Sequence, residues 1–181
     1  MSQHYYTVAA LPYLTYDSEF KGEEDFLDFC RETISEKECQ ILAAVRLQSE
    51  WETAEEPNEV IKEFRAWERA FRMEIAKLRL ERKKMESDPR FAESHEFVTL
   101  TAAAHNTLSQ PNPLAAEEFI SRSYWDKLSE MEVTHYFDFE KLILYYLKMQ
   151  VLRRRYGFNL ESGNEQYTKV YKNILNASVS T

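Results

Sequence analysis

An all-α bundle of about six or seven helices is the fold that the sequence predicts, and three observations predict it. Apolar residues recur at helical spacing through several segments. Helix start signals stand ahead of those segments. Glycine is scarce: Gly22, Gly157 and Gly163 are the only three in 181 residues, whereas sheets closed by tight hairpins use glycine for positive φ.

The opening HYYTVAALPYLTYD is aromatic and apolar and is broken by Pro12. A short helix and an extended segment fit it equally, and Tyr5, Tyr6 and Tyr13 either cover the core or face a partner. EEDFLDFCRE forms a short amphipathic helix with Phe26, Leu27 and Cys30 on one side. Ser35 followed by Glu38 is a capping box, which opens a helix through Ile41, Leu42 and Val45. The acidic stretch Glu50–Asn58, with Pro57, is a loop.

The longest helix spans residues 58–87. Val60, Phe64, Trp67, Phe71, Ile75, Leu78 and Met85 follow one another at helical steps and form a seam for one or two neighbours. Glu68 and Arg72 are placed to attract on that helix, and Glu59 and Glu63 to repel. The locally basic stretch Lys77–Lys84 is diluted by Glu81 and reads as a solvated face. Asp88-Pro89 stops the helix, and Phe91–Asn106 follows with a weak stripe.

Residues 1–106 thus make an N-terminal helical part and residues 112–176 a C-terminal one. A proline-containing hinge at 107–113 joins them within one compact domain. Asn112 caps the next helix, with Pro113 in its first turn and Glu117 and Glu118 near the positive end of the dipole. After the aromatic joint Thr134–Phe137, Asp138 caps a helix that is apolar nearly all round from Leu142 to Leu152. It closes on Arg153, Arg154 and Arg155, with Gly157 beyond. That helix is the centre of the bundle. Glu165–Leu175 is a last amphipathic helix with Tyr167, Val170, Tyr171 and Ile174 inward.

Composition narrows the function. The formal charge of −8 disfavours nucleic acid as a partner. Three scattered glycines supply neither a dinucleotide fingerprint nor a phosphate-cradling loop. No apolar run approaches the roughly 18–20 residues that span a bilayer, and the N-terminus lacks the basic start of a signal peptide, so a cytoplasmic location is expected. Cys30 and Cys39 fit small buried side chains of a reduced compartment.

No catalytic, cofactor-binding or metal-ligating set stands out, so neither an enzyme nor a small-molecule ligand is expected. His135, Asp138 and Glu140 come nearest to a metal constellation, but Asp138 is more simply a helix cap and His135 a turn residue. What remains is a partner surface. Three consecutive guanidinium groups at Arg153, Arg154 and Arg155 point in different directions, which gives an outward patch for an acidic partner. Trp125 and Tyr145 are the aromatic candidates for the same interface.

The stretch NPLAAEEFISRSYWDKLSEM…HYFDFEKLILYYLKMQVLRRRYGFN, the opening HYYTVAALPYLTYDSE and the phrase DFLDFCRETIS together resemble a small family encoded within bacterial V-type ATPase operons. That family looks like a shortened relative of the C-type subunit of V/A-type ATPases, whose eukaryotic counterpart is the d-type subunit. The resemblance is fullest over Asn112–Asn159. It implies an all-helical protein without an active site, standing at the cytoplasmic membrane face between central stalk and rotor ring. Full-length members carry three similar bundles, for which this chain is too short. The alternative is a cytoplasmic helical adaptor unrelated to the ATPase.

Overall fold

The computed structural model describes residues 4–20, 22–48, 58–85, 100–158 and 168–172. Seven helices are named in chain order: α1 Tyr5–Ala9, α2 Glu24–Thr33, α3 Glu36–Ala44, α4 Glu59–Arg82, α5 Leu100–Leu108, α6 Pro113–Glu132 and α7 Phe139–Gly157. Residues 168–172 are also helical, and no strand occurs among the described residues. No helix among them is long and apolar enough to cross a membrane.

The helices begin where capping chemistry places them. Ser35 Oγ accepts from the Glu38 N–H, and the Glu38 carboxylate accepts from the Ser35 N–H at 3.0 Å, so the capping box is complete. Asn58, Asn112 and Asp138 each accept a backbone N–H of the first turn, at 2.9, 2.8 and 3.0 Å. Gly157 falls inside α7 rather than after it.

α4 ends five residues before the expected limit of 87. Lys84 takes a left-handed φ of 55°. The Met85 N–H then donates to the Leu80 carbonyl and the Lys84 N–H to that of Glu81, the two bonds of a Schellman closure. A lysine stands where glycine usually signals such a stop, so the sequence carries no warning of it. Met85, expected on the seam, is exposed as a result, while the other six seam residues are buried. Asp88-Pro89, the acidic loop before Asn58 and residues 91–99 lie outside the described residues.

α7 is the central helix. Leu142 to Lys148, Gln150, Val151 and Leu152 are all buried, and α3, α4 and α6 pack against it. Phe26 of α2 adds stacking on Tyr145 and Tyr146. α5 packs between α4 and α6, burying Leu100, Ala104 and Thr107. Arg82 donates to the Leu108 carbonyl at 2.7 Å and ties the ends of α4 and α5 together. Within the expected hinge at 107–113, α5 runs through Leu108, and one apolar cluster draws on residues from both sides of it.

Two orientations differ from expectation. Val170 and Tyr171, placed inward by their spacing, are exposed, while Tyr167 and Ile174 lie outside the described residues. Cys30 is buried but Cys39 only partly so.

Candidate partner-docking site

Residues 10–20 form no helix and lie as a strap across α6 and α7. Polar and aromatic contacts hold it down. Tyr145 donates to the Pro12 carbonyl at 3.1 Å, and Arg155 Nη1 donates to the Tyr16 carbonyl at 3.0 Å. Tyr16 donates to Glu118 Oε1 at 2.9 Å. Its ring lies between the guanidinium groups of Arg122 and Arg155, each 4.7 Å from the centroid, with Trp125 edge-on. Burial pushes the Tyr16 phenol well above its ordinary range, helped by the bond to Glu118. Gly22, at φ 99°, turns the strap into α2 in a region that a side chain disfavours.

The arginine run serves this arrangement. At 100° per residue, three consecutive helical side chains diverge, and here each direction meets a carboxylate of the same chain. Arg153 pairs with Glu23 at 3.0 Å, Arg154 with Glu117 at 2.5 Å, and Arg155 with Glu118 at 3.2 Å and Asp17 at 3.5 Å. The run expected as an outward patch is thus paired within the chain as a clamp, with Arg153 still exposed. Glu117 and Glu118, which the sequence assigns to the helix dipole, are also its counter-charges.

Trp125 and Tyr145 are corrected too. Trp125 is buried under the Lys148 ammonium, 5.0 Å from its ring, and Tyr145 is buried against Phe26. Neither is a surface anchor, although Tyr145 reaches the floor of the cleft described next.

Beside the strap, a cleft of about 620 Å³ opens between residues 10–20, α2 and α7. Leu11, Leu14, Phe26, Phe29, Met149 and Leu152 make it apolar, and Glu19 and Asp25 stand on its wall. A second cleft of about 790 Å³ shares Ser18, Glu19, Phe20 and Leu152 with the first and continues past Leu114, Tyr156 and Phe158. A smaller one of about 340 Å³ adds Glu23, Glu24 and Arg153. Together they form a furrow with an apolar floor and carboxylate edges. Each cleft alone has the volume of a small-ligand site. The sequence shows Glu19, Glu24 and Asp25 only as surface acids, since their convergence depends on how the strap lies.

Two buried polar sets elsewhere are structural. Glu68 accepts from Tyr124, whose ring packs against Phe64, Trp67 and Phe71, at 3.0 Å and pairs with Arg72 at 2.7 Å. Burial raises its carboxyl pKa above the ordinary value against the opposing pull of Arg72 and Tyr124. Burial also pushes Glu132 upward, but Lys148 at 2.5 Å and Lys141 at 2.9 Å outweigh it and hold that carboxyl below its ordinary value.

His135, Asp138 and Glu140 bring one ligand atom each within 4.8 Å of one another. Hydrogen bonds already engage them. Asp138 Oδ1 caps α7, its Oδ2 lies 2.7 Å from His135 Nδ1, and Glu140 accepts from Asn58 at 3.0 Å. The set locks the joint between α6 and α7 to the start of α4.

Compared with models of known protein families, with curated proteins and with solved structures, the chain matches none.

Proposed function

We propose that the chain is a non-catalytic subunit or accessory protein of a bacterial V-type ATPase, coupling the central stalk to the membrane rotor ring. The observation that carries this reading is the sequence resemblance over Asn112–Asn159. Residues 112–158 of that stretch form α6 and α7, around which α2, α3, α4, α5 and the strap are arranged. The likeness therefore falls on the frame of the fold rather than on a surface loop. An all-helical bundle suits a part that transmits force between protein partners, at the cytoplasmic face of the membrane. A second reading, a helical adaptor of another assembly, draws on the acid-edged furrow, which suits a partner of any assembly.

Deleting the chain in its native host, and measuring ATP hydrolysis and ion transport in the same membranes, tests the coupling reading. Hydrolysis that persists while transport falls supports it. An unchanged ratio of transport to hydrolysis overturns it.

A further inference from the structure

We propose that the furrow beside Ser18–Phe20 is the docking site for a cationic amphipathic helix of a protein partner. The inference rests on the docking part of the proposed function and not on the identity of the assembly.

The charge of the occupant follows from its edges. Glu19, Glu24 and Asp25 make no ion pair or hydrogen bond with a described residue. Among the described residues that line this part of the furrow, the cation Arg153 is already paired with Glu23 at 3.0 Å. Asp17 and Glu118 share the single charge of Arg155. Carboxylates that no described residue compensates, beside an apolar floor, fit a helix whose apolar stripe is flanked by lysine or arginine.

The shape of the occupant follows from length and backbone. Two clefts of about 620 and 790 Å³ meet at Phe20 and Leu152, so the furrow continues beyond a compact ligand. No strand occurs among the described residues, and an extended peptide therefore has no sheet edge to join. A helix laid in a groove needs no such edge. Met149, on the floor and only half-buried, is the adaptable side chain such grooves use.

The test uses the full chain and two synthetic 18-residue helices with the same leucine stripe, one with lysine and one with glutamate on its polar face. Fluorescence anisotropy should show the lysine peptide binding, the glutamate peptide not, and the affinity falling as salt rises. The double variant Glu19→Lys/Asp25→Lys should weaken binding by about tenfold or more, with an unchanged circular dichroism melt. A control pair, Glu32→Lys/Glu36→Lys, carries the same charge change on exposed residues that do not line the furrow. It should leave binding within about twofold. Equal losses in both pairs mean diffuse attraction to an acidic protein and overturn the site. So does a Glu19/Asp25 variant that binds as the parent does, or a glutamate peptide that binds equally well. Because no ATPase component enters this assay, its failure leaves the coupling reading standing, and its success does not rescue that reading.

Discussion

The Gln150 carboxamide, buried midway along α7, accepts from the backbone N–H of Leu47 at 2.7 Å, across 103 residues of sequence. Its amide nitrogen donates to the Val45 carbonyl at 3.0 Å. One side chain thereby reaches two backbone groups of the turn that leaves α3, and the Val45 carbonyl also accepts from Arg46 Nη1 at 2.9 Å.

Replacing Gln150 by Leu keeps the bulk and strands the buried Leu47 N–H, while the Val45 carbonyl keeps its bond from Arg46 Nη1. The variant should lose about 1–3 kcal/mol, and so melt about 3–10 °C lower for a chain of this size. Thermal unfolding followed at 222 nm measures it. A shift under about 2 °C means that the turn finds water or another partner.

Leu147, on the same helix, is 1% exposed. Leu147→Asp places an unpaired carboxylate in the core and should cost roughly 4 kcal/mol or more. A melting temperature equal to that of the parent would remove α7 from the centre of the fold.

Glu68 and Glu132 should respond to pH with opposite signs. The folded-state pKa of Glu68 is raised, so its contribution is full below the unfolded value and lost as pH rises through the folded one. Glu68→Gln should therefore become less damaging from about pH 4 to 7. The folded pKa of Glu132 is lowered, so its contribution is present above the unfolded value and lost as pH falls through the folded one. Glu132→Gln should cost most near pH 7 and progressively less below about pH 4.5. Urea unfolding across that range, with trends of the same sign for both variants, would contradict the assignment.

Changing Arg153, Arg154 and Arg155 together to Ser should release the strap before it unfolds the bundle. Hydrogen exchange over residues 12–18 should rise about tenfold or more, because Arg155 holds the Tyr16 carbonyl and ring. Exchange in the middle of α7 should change far less. Equal protection of residues 12–18 in parent and variant would show that packing alone secures the strap.

Helix existence was legible in the sequence because capping and periodicity are local. Asn112, Asp138 and the Ser35–Glu38 box each place an N-terminus, and the run from Leu142 to Leu152 identifies the central helix. The end of α4 was not legible, since Lys84 adopts a backbone usually given to glycine. Nor was the role of the arginine run. Its diverging directions follow from helix geometry, but Glu23, Glu117, Glu118 and Asp17 reach it only through tertiary packing. The same holds for the furrow, whose floor combines three separate parts of the chain. Trp125 and Tyr145 were legible as large aromatics, while their burial depended on where Tyr16 and Phe26 settled.

The most direct test of the central claim is affinity capture of the tagged chain from detergent-solubilised membranes of its native host, with mass spectrometric quantification. The coupling reading predicts V-type ATPase stalk and rotor-ring components in fixed proportion to the bait. Intact ATPase recovered in the unbound fraction, with none on the bait, would contradict it.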